Sequence, residues 1–103
     1  MKFERTPAFD RDLEKLGPAH EERFRRIVRE TFAPAAERLA ADPGARWPAS
    51  LRVKPMKGAP GIWEMTWSFS GPDGRATFEW VRIAGEPAIR WRRVGDHGIF
   101  TRP

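Results

Sequence analysis

The chain has 103 residues, 19 Lys plus Arg against 14 Asp plus Glu, no Cys, and a formal net charge of +5. That length supports one hydrophobic core and so one domain, residues 1–103. Its 40% hydrophobic and 32% charged content excludes the low-hydrophobicity class of disordered chains, and the absence of Cys excludes disulfides and thiolate zinc sites. No apolar run approaches the roughly 20 residues of a membrane helix. The opening MKFERTPAFD has no apolar h-region, so a cytoplasmic protein without a signal peptide is expected.

In chain order, KFERT (2–6) alternates and predicts a short edge strand. Thr6-Pro7 reads as an N-cap followed by a first helical position, where the missing N–H of proline does no harm. Phe9, Leu13 and Leu16 then recur at helical spacing until Gly17-Pro18 stops the helix. A second helix is predicted from about His20, with Phe24, Ile27, Val28, Thr31 and Phe32 on one face. Pro34 should break or kink it at Ala33, and PAAERLAAD (34–42) can restart as a short helical piece. PGARWPAS (43–50) reads as a loop.

From Leu51 the period changes to two. LRVKPM (51–56) is a candidate strand weakened by Pro55. GIWEMTWSF (61–69) places Trp63, Met65, Trp67 and Phe69 on one side and Glu64, Thr66 and Ser68 on the other. SGPDG (70–74) is a hairpin loop. RATFEWVRI (75–83) alternates Ala76, Phe78 and Trp80 against Arg75, Thr77 and Glu79. After a turn at AGEP (84–87), AIRWRRV (88–94) sets Ile89 and Trp91 against Arg90 and Arg92. The predicted class is α+β: an N-terminal strand and two to three helices packed on an antiparallel β-meander.

The aromatic sides of the strands should cover the helices, leaving a polar, mostly basic sheet face of Glu64, Thr66, Arg75, Thr77, Glu79, Arg90 and Arg92. Lys54 and Lys57 precede it and His97 follows it. A solvated sheet face is polar in any case. The functional alternative is phosphodiester cleavage. RNA carries its own nucleophile, the 2′-hydroxyl, so a base, an acid and cations suffice, with no metal or other cofactor. His97 suits proton transfer and Arg75 or Arg92 suits a phosphate. His20, at a helix start, reads as a surface residue. The two histidines lie far apart in sequence, no metal cluster is suggested, and no phosphate-cradling glycine pattern is present.

Four stretches, FERTPAFDRDLEKL, KGAPGIWEMTW, GRATFEW and WRRVGDHGIF, occur in an order that resembles the RelE/ParE superfamily of bacterial toxins, in its RelE-like and HigB-like branch. The resemblance spans nearly the whole chain. It implies the toxin of a type II toxin–antitoxin system: a ribosome-dependent mRNA endonuclease, or mRNA interferase, held inactive by a cognate antitoxin. The implied partners are that antitoxin, the ribosome and mRNA. By position, Arg75 matches the family arginine that stabilises the phosphate, and His97 the place where relatives carry Arg or His as acid or base. Lys54 and Lys57 fall in the segment that supplies charged residues before the central strand. Glu64 matches the strand glutamate, which is either catalytic or structural, ion-paired with an Arg across the sheet. Many relatives carry a catalytic tyrosine near the C-terminus. This chain has no Tyr, Phe100 sits near such a position, and Glu64 and Thr66 replace strand lysines, which leaves a His97-centred variant. The same superfamily also holds non-nuclease members that inhibit DNA gyrase or act by protein contact alone.

Overall fold

The computed structural model describes residues 1–67, 74–95 and 103. Strand β1 (Lys2–Arg5) leads into helix α1 (Pro7–Leu16), and α2 (Pro18–Ile27) follows after one residue. The Thr6 hydroxyl caps α1 by accepting the Phe9 N–H at 3.1 Å. Gly17, at φ +83° and ψ 160°, makes the abrupt turn between α1 and α2, a conformation that a side chain would strain. Pro18 then opens α2 where its missing N–H costs nothing.

Pro34 does not break the helical course. A wide π turn at Val28–Phe32 joins α2 directly to α3 (Ala33–Ala41), and the Ala33 N–H bonds back to the Val28 carbonyl. The reason is steric. A proline has no N–H for the carbonyl four residues back and its ring crowds that carbonyl. The wider turn just before Pro34 relieves the conflict while the chain keeps its direction. α3 therefore restarts as expected with Pro34 in its first turn.

A short 3₁₀ turn (Ala49–Leu51) precedes strands β2 (Lys54–Pro55), β3 (Trp63–Thr66), β4 (Arg75–Ile83) and β5 (Glu86–Gly95). The sheet order is β1-β5-β4-β3-β2. From β2 to β5 the neighbours are antiparallel, which is the predicted meander, with β2 cut to two residues beside Pro55. β1 then adds to the outside of β5 in parallel, Lys2 opposite Ala88 through Arg5 opposite Trp91, so the sheet is mixed. The fold is α+β, and no helix of the described residues is long and apolar enough to cross a membrane.

The core lies where the helices cross the sheet. Phe9, Phe24 and Phe32 meet Met65, Trp67, Phe78, Ile89, Trp91 and Val94. Trp91 is its centre, with ring centroids 4.7 Å from Phe32, 5.3 Å from Phe24, 5.7 Å from Phe78 and 5.9 Å from Phe9. Each such side chain stabilises the fold by about 1.5–3 kcal/mol when buried. The predicted loop contributes Trp47, stacked on Phe32 at 4.9 Å.

Strand β5 cannot satisfy strict alternation, because Trp91, Arg92, Arg93 and Val94 would put Arg93 inside and Val94 outside. A β-bulge resolves this. Phe78 pairs with Trp91 and Thr77 with Arg93, so Arg92 is the extra residue. Val94 then returns to the core opposite Ala76. β1 covers β5 only as far as Trp91, and α1 seals the rest of that edge. The Thr6 N–H bonds to the Trp91 carbonyl at 3.0 Å, and its hydroxyl donates to the Arg92 carbonyl at 2.7 Å. One oxygen of Asp12, Oδ2, accepts both the Val94 N–H at 3.1 Å and Arg93 Nε at 2.5 Å, while Oδ1 accepts Arg93 Nη2 at 3.0 Å.

Asp12 is buried and Arg93 half-buried. The hydrogen bond that Arg93 donates to Asp12 raises the Arg93 pKa above its ordinary value, burial pulls it back, and the charge of Asp12 raises it further. A guanidinium with a raised pKa contributes its full stability below its unfolded value. That contribution fades only as pH climbs through the folded value, so from neutral to mildly alkaline pH the pair is constant. Asp12→Ala removes the carboxylate shared by Arg93 and the Val94 N–H and is expected to destabilise by about 3 kcal/mol in urea unfolding. The double variant Asp12→Leu, Arg93→Leu is expected to recover part of that loss, because the guanidinium is gone while the Val94 N–H still lacks its acceptor.

Candidate functional site

The face of the sheet opposite the helices carries the polar side chains predicted for function. Cross-strand register brings them together. Lys54 lies opposite Glu64, Glu64 opposite Thr77, Thr66 opposite Arg75, Arg75 opposite Gly95, and Glu79 opposite Arg90. Four of the strands thus contribute to one surface.

Its charges interleave rather than forming a basic sheet. Arg90 Nε donates to Glu4 Oε2 at 2.9 Å, and Arg90 Nη1 lies 3.8 Å from Glu79 Oε1. Arg92 Nη1 bonds to the other oxygen of Glu79 at 2.5 Å. Lys54 Nζ lies 3.4 Å from Glu64 Oε1. Glu4, Arg90, Glu79 and Arg92 therefore form a continuous ladder over three strands, of the cross-strand kind that stabilises sheets. Both arginines expected to hold RNA already have carboxylate partners. Glu64 is paired as the structural reading expected, but with Lys54 and not with an arginine.

The centre of the face is closed to solvent. Thr66 is 5% exposed and Thr77 is fully buried. The Thr77 hydroxyl donates to the main-chain oxygen of Pro103 at 3.1 Å, and Arg92 Nε donates to the same oxygen at 3.0 Å. An acceptor oxygen is thus held on this surface between a hydroxyl and a guanidinium, donors of the kinds that also bind phosphate oxygens.

Arg75 opens β4 at one end of the surface and is half-buried, with Nη1 donating to the Gly74 carbonyl at 3.2 Å. Trp67 fixes the backbone there. Its indole N–H bonds to the Arg75 carbonyl and its main-chain N–H to the Gly74 carbonyl, both at 3.2 Å. Gly74 packs so closely on the Trp67 ring that a methyl group there would overlap the indole.

His97 and Phe100 lie outside the described residues, as do the hairpin residues 70–73; β5 ends at Gly95, opposite Arg75. Lys54 is 69% exposed, and Lys57 is exposed in the turn between β2 and β3, which the Met56 N–H closes on the Ile62 carbonyl at 2.8 Å. His20 is exposed near the start of α2, its ring edge-on to Trp67 at 6.4 Å. Among the described residues no group of three or more His, Cys, Asp or Glu is arranged to hold a metal ion.

Sequence reasoning did not single out Glu4, Asp12 or the hydrogen-bonding role of Thr77. The signal for Asp12 was present in WRRV. Two adjacent arginines followed by a core valine cannot keep strict alternation, so the strand bulges and the second guanidinium, beside the core, needs a carboxylate. No family model matches the chain, and neither a curated protein nor a solved structure matches it significantly.

Gly74→Ala is expected to displace the Trp67 indole and with it the start of β4. The expected loss is about 1–3 kcal/mol in chemical unfolding, accompanied by a shifted tryptophan emission in the folded state.

Proposed function

We propose that the chain is an endoribonuclease toxin of a type II toxin–antitoxin system, acting on ribosome-bound mRNA and restrained by a cognate antitoxin. The observation that carries this reading is the oxygen held between Thr77 and Arg92, on the same sheet surface to which β4 contributes Arg75. Successive side chains on one face of a strand stand about 7 Å apart, so with the Pro103 oxygen displaced Arg75 and Thr77 would address neighbouring oxygens of one RNA backbone. The α+β architecture agrees with what the resemblance to RelE-like toxins implies.

In this reading a base removes the proton of the 2′-hydroxyl, and that oxygen attacks the adjacent phosphorus. The 5′-oxygen leaves with a proton from an acid, giving a 2′,3′-cyclic phosphate and a 5′-hydroxyl. His97 serves one proton transfer. Glu64, released from Lys54 by substrate, is the candidate for the other. Arg75 holds the extra negative charge of the pentacoordinate phosphorus, and Arg92 supports it where Glu79 is displaced. Lys54, Lys57 and Arg90 contribute charge along the RNA backbone, a sequence-independent and salt-sensitive attraction.

The Glu4–Arg90–Glu79–Arg92 ladder favours a second reading, in which this face is structural and the protein acts by contact alone, on an antitoxin or on DNA gyrase. Primer extension on mRNA from a translating extract separates the two. The nuclease reading expects codon-phased cuts, with rates reduced about 10²-fold or more by Arg75→Ala and His97→Ala. Absence of phased cuts, or unchanged cutting by both variants, leaves the contact reading.

A further inference from the structure

Strand β4 is longer than the strand that covers it. β3 pairs with it only from Arg75 to Phe78, where Trp63 lies opposite Phe78, so residues 79–83 have β5 on one side alone. Among the described residues no main-chain group bonds to residues 79–83 from the β3 side. An open depression of about 400 Å³ lies there, lined by Trp80, Val81, Arg82 and Pro87. The hairpin register says which groups are bare. Ala84 and Gly85, at φ 53° and 80°, form a two-residue turn, so Ile83 and Glu86 flanking it are a hydrogen-bonded pair. Pairs alternate from there. Arg82 with Pro87 and Trp80 with Ile89 are then non-hydrogen-bonded pairs, as a proline without an N–H requires. The main-chain N–H and C=O of Trp80 and Arg82 therefore point outward, away from β5.

We propose that this bare edge is a homodimer interface, in which β4 of a second copy pairs antiparallel across a two-fold axis at Val81 and joins two sheets into one. The self-pairing follows from the sequence EWVRI (79–83). One two-fold register uses both bare residues at once. With Val81 opposite Val81 of the second copy, Trp80 faces Arg82 of the second copy and Arg82 faces its Trp80. Each of these two pairs exchanges two main-chain hydrogen bonds. A register centred on Trp80 would set Arg82 opposite Phe78, which is already paired with Trp63. One centred on Arg82 would set Trp80 opposite the turn residue Ala84.

The side chains favour the same register. Trp80 and Arg82 project from one side of β4, so each guanidinium would lie directly across from an indole, a cation–π contact. Arg82 is exposed and its Nη1 donates to the Gly85 carbonyl at 2.8 Å, a contact that a surface side chain can exchange for the indole. On the other side of the strand the two Val81 side chains meet at the axis, in the close spacing of a non-hydrogen-bonded pair. The net charge of +5 opposes association of two copies, but the paired segment carries one Glu and one Arg and is itself neutral. A strand of another protein could also bond to this edge. What selects a second copy is that Trp80 and Arg82 complement each other in the one register that satisfies both. The interface uses neither Arg75 nor the acceptor oxygen, so it stands whether or not the polar face cleaves RNA.

A short strand pairing makes a small interface, so a concentration-dependent dimer with a Kd on the order of micromolar is expected in sedimentation velocity of the full chain. Val81→Lys and Val81→Glu each set like charges face to face at the axis, and each is expected to weaken the dimer about tenfold or more. Mixing the two variants is expected to restore it, because opposite charges then meet. That restoration is also the folding control, since a misfolded variant is not rescued by its complement. Arg82→Gln keeps the main chain and removes both cation–π contacts, and is expected to weaken the dimer about tenfold. Hydrogen exchange at the Trp80 and Arg82 amides should slow as protein concentration rises. The proposal is overturned by a chain that stays monomeric at about 1 mM, or by a dimer that both Val81 variants leave intact. A mixture of the two variants that stays monomeric overturns it, as do Trp80 and Arg82 amides that exchange equally at every concentration.

Discussion

The Asp12 carboxylate is the constraint on which both faces of the sheet depend. Strand β5 has to supply Ile89, Trp91 and Val94 to the core, Arg90 and Arg92 to the polar face, and an edge that β1 covers only as far as Trp91. No unbroken alternation does all three. The bulge at Arg92 does, but it places a guanidinium and a main-chain N–H where the sheet no longer satisfies them. Asp12 accepts from both, and Thr6 closes the carbonyls just before them. Thr6 also caps α1, so one hydroxyl both starts the helix and fastens it to β5. The helix cannot move without unsealing the strand.

This explains which parts of the fold could be read from the chain. The helices and the three long strands follow from periodicity and turn residues, because apolar spacing records which face is buried. Thr6-Pro7 and Gly17-Pro18 mark helix ends through backbone chemistry that acts within a few residues. The parallel addition of β1 to β5 joins residues more than 80 positions apart, and nothing in KFERT specifies that partner. The π turn was hidden for a different reason. Pro34 announces a conflict in the helix, but local sequence does not say whether the chain breaks or widens; the tertiary position of Phe32 and Ala36, both fully buried, holds the two helical pieces in line.

The site was legible as a surface and not as a set of roles. Alternation correctly assembled Glu64, Thr77, Glu79, Arg90 and Arg92 on one face. It could not reveal that Glu79 accepts from both arginines, because Arg92 and Glu79 become neighbours only through the bulged register. Nor could composition show it: an excess of arginine describes the whole surface, while carboxylates decide which guanidinium is available. At the end of this face the backbone of Arg75 is set by Trp67 and Gly74.

The thin sheet has two dissimilar surfaces, and β5 touches both: Trp91 lies in the core, and the next residue, Arg92, holds the acceptor oxygen on the other side. β1, on the outside of β5, carries Glu4, the far end of the Glu4–Arg90–Glu79–Arg92 ladder. Arg90 and Arg92 both contact Glu79, so the position of Glu4 on Arg90 bears on the carboxylate that holds Arg92. The edge strand and the acceptor oxygen are thus joined through side chains in direct contact along the polar face.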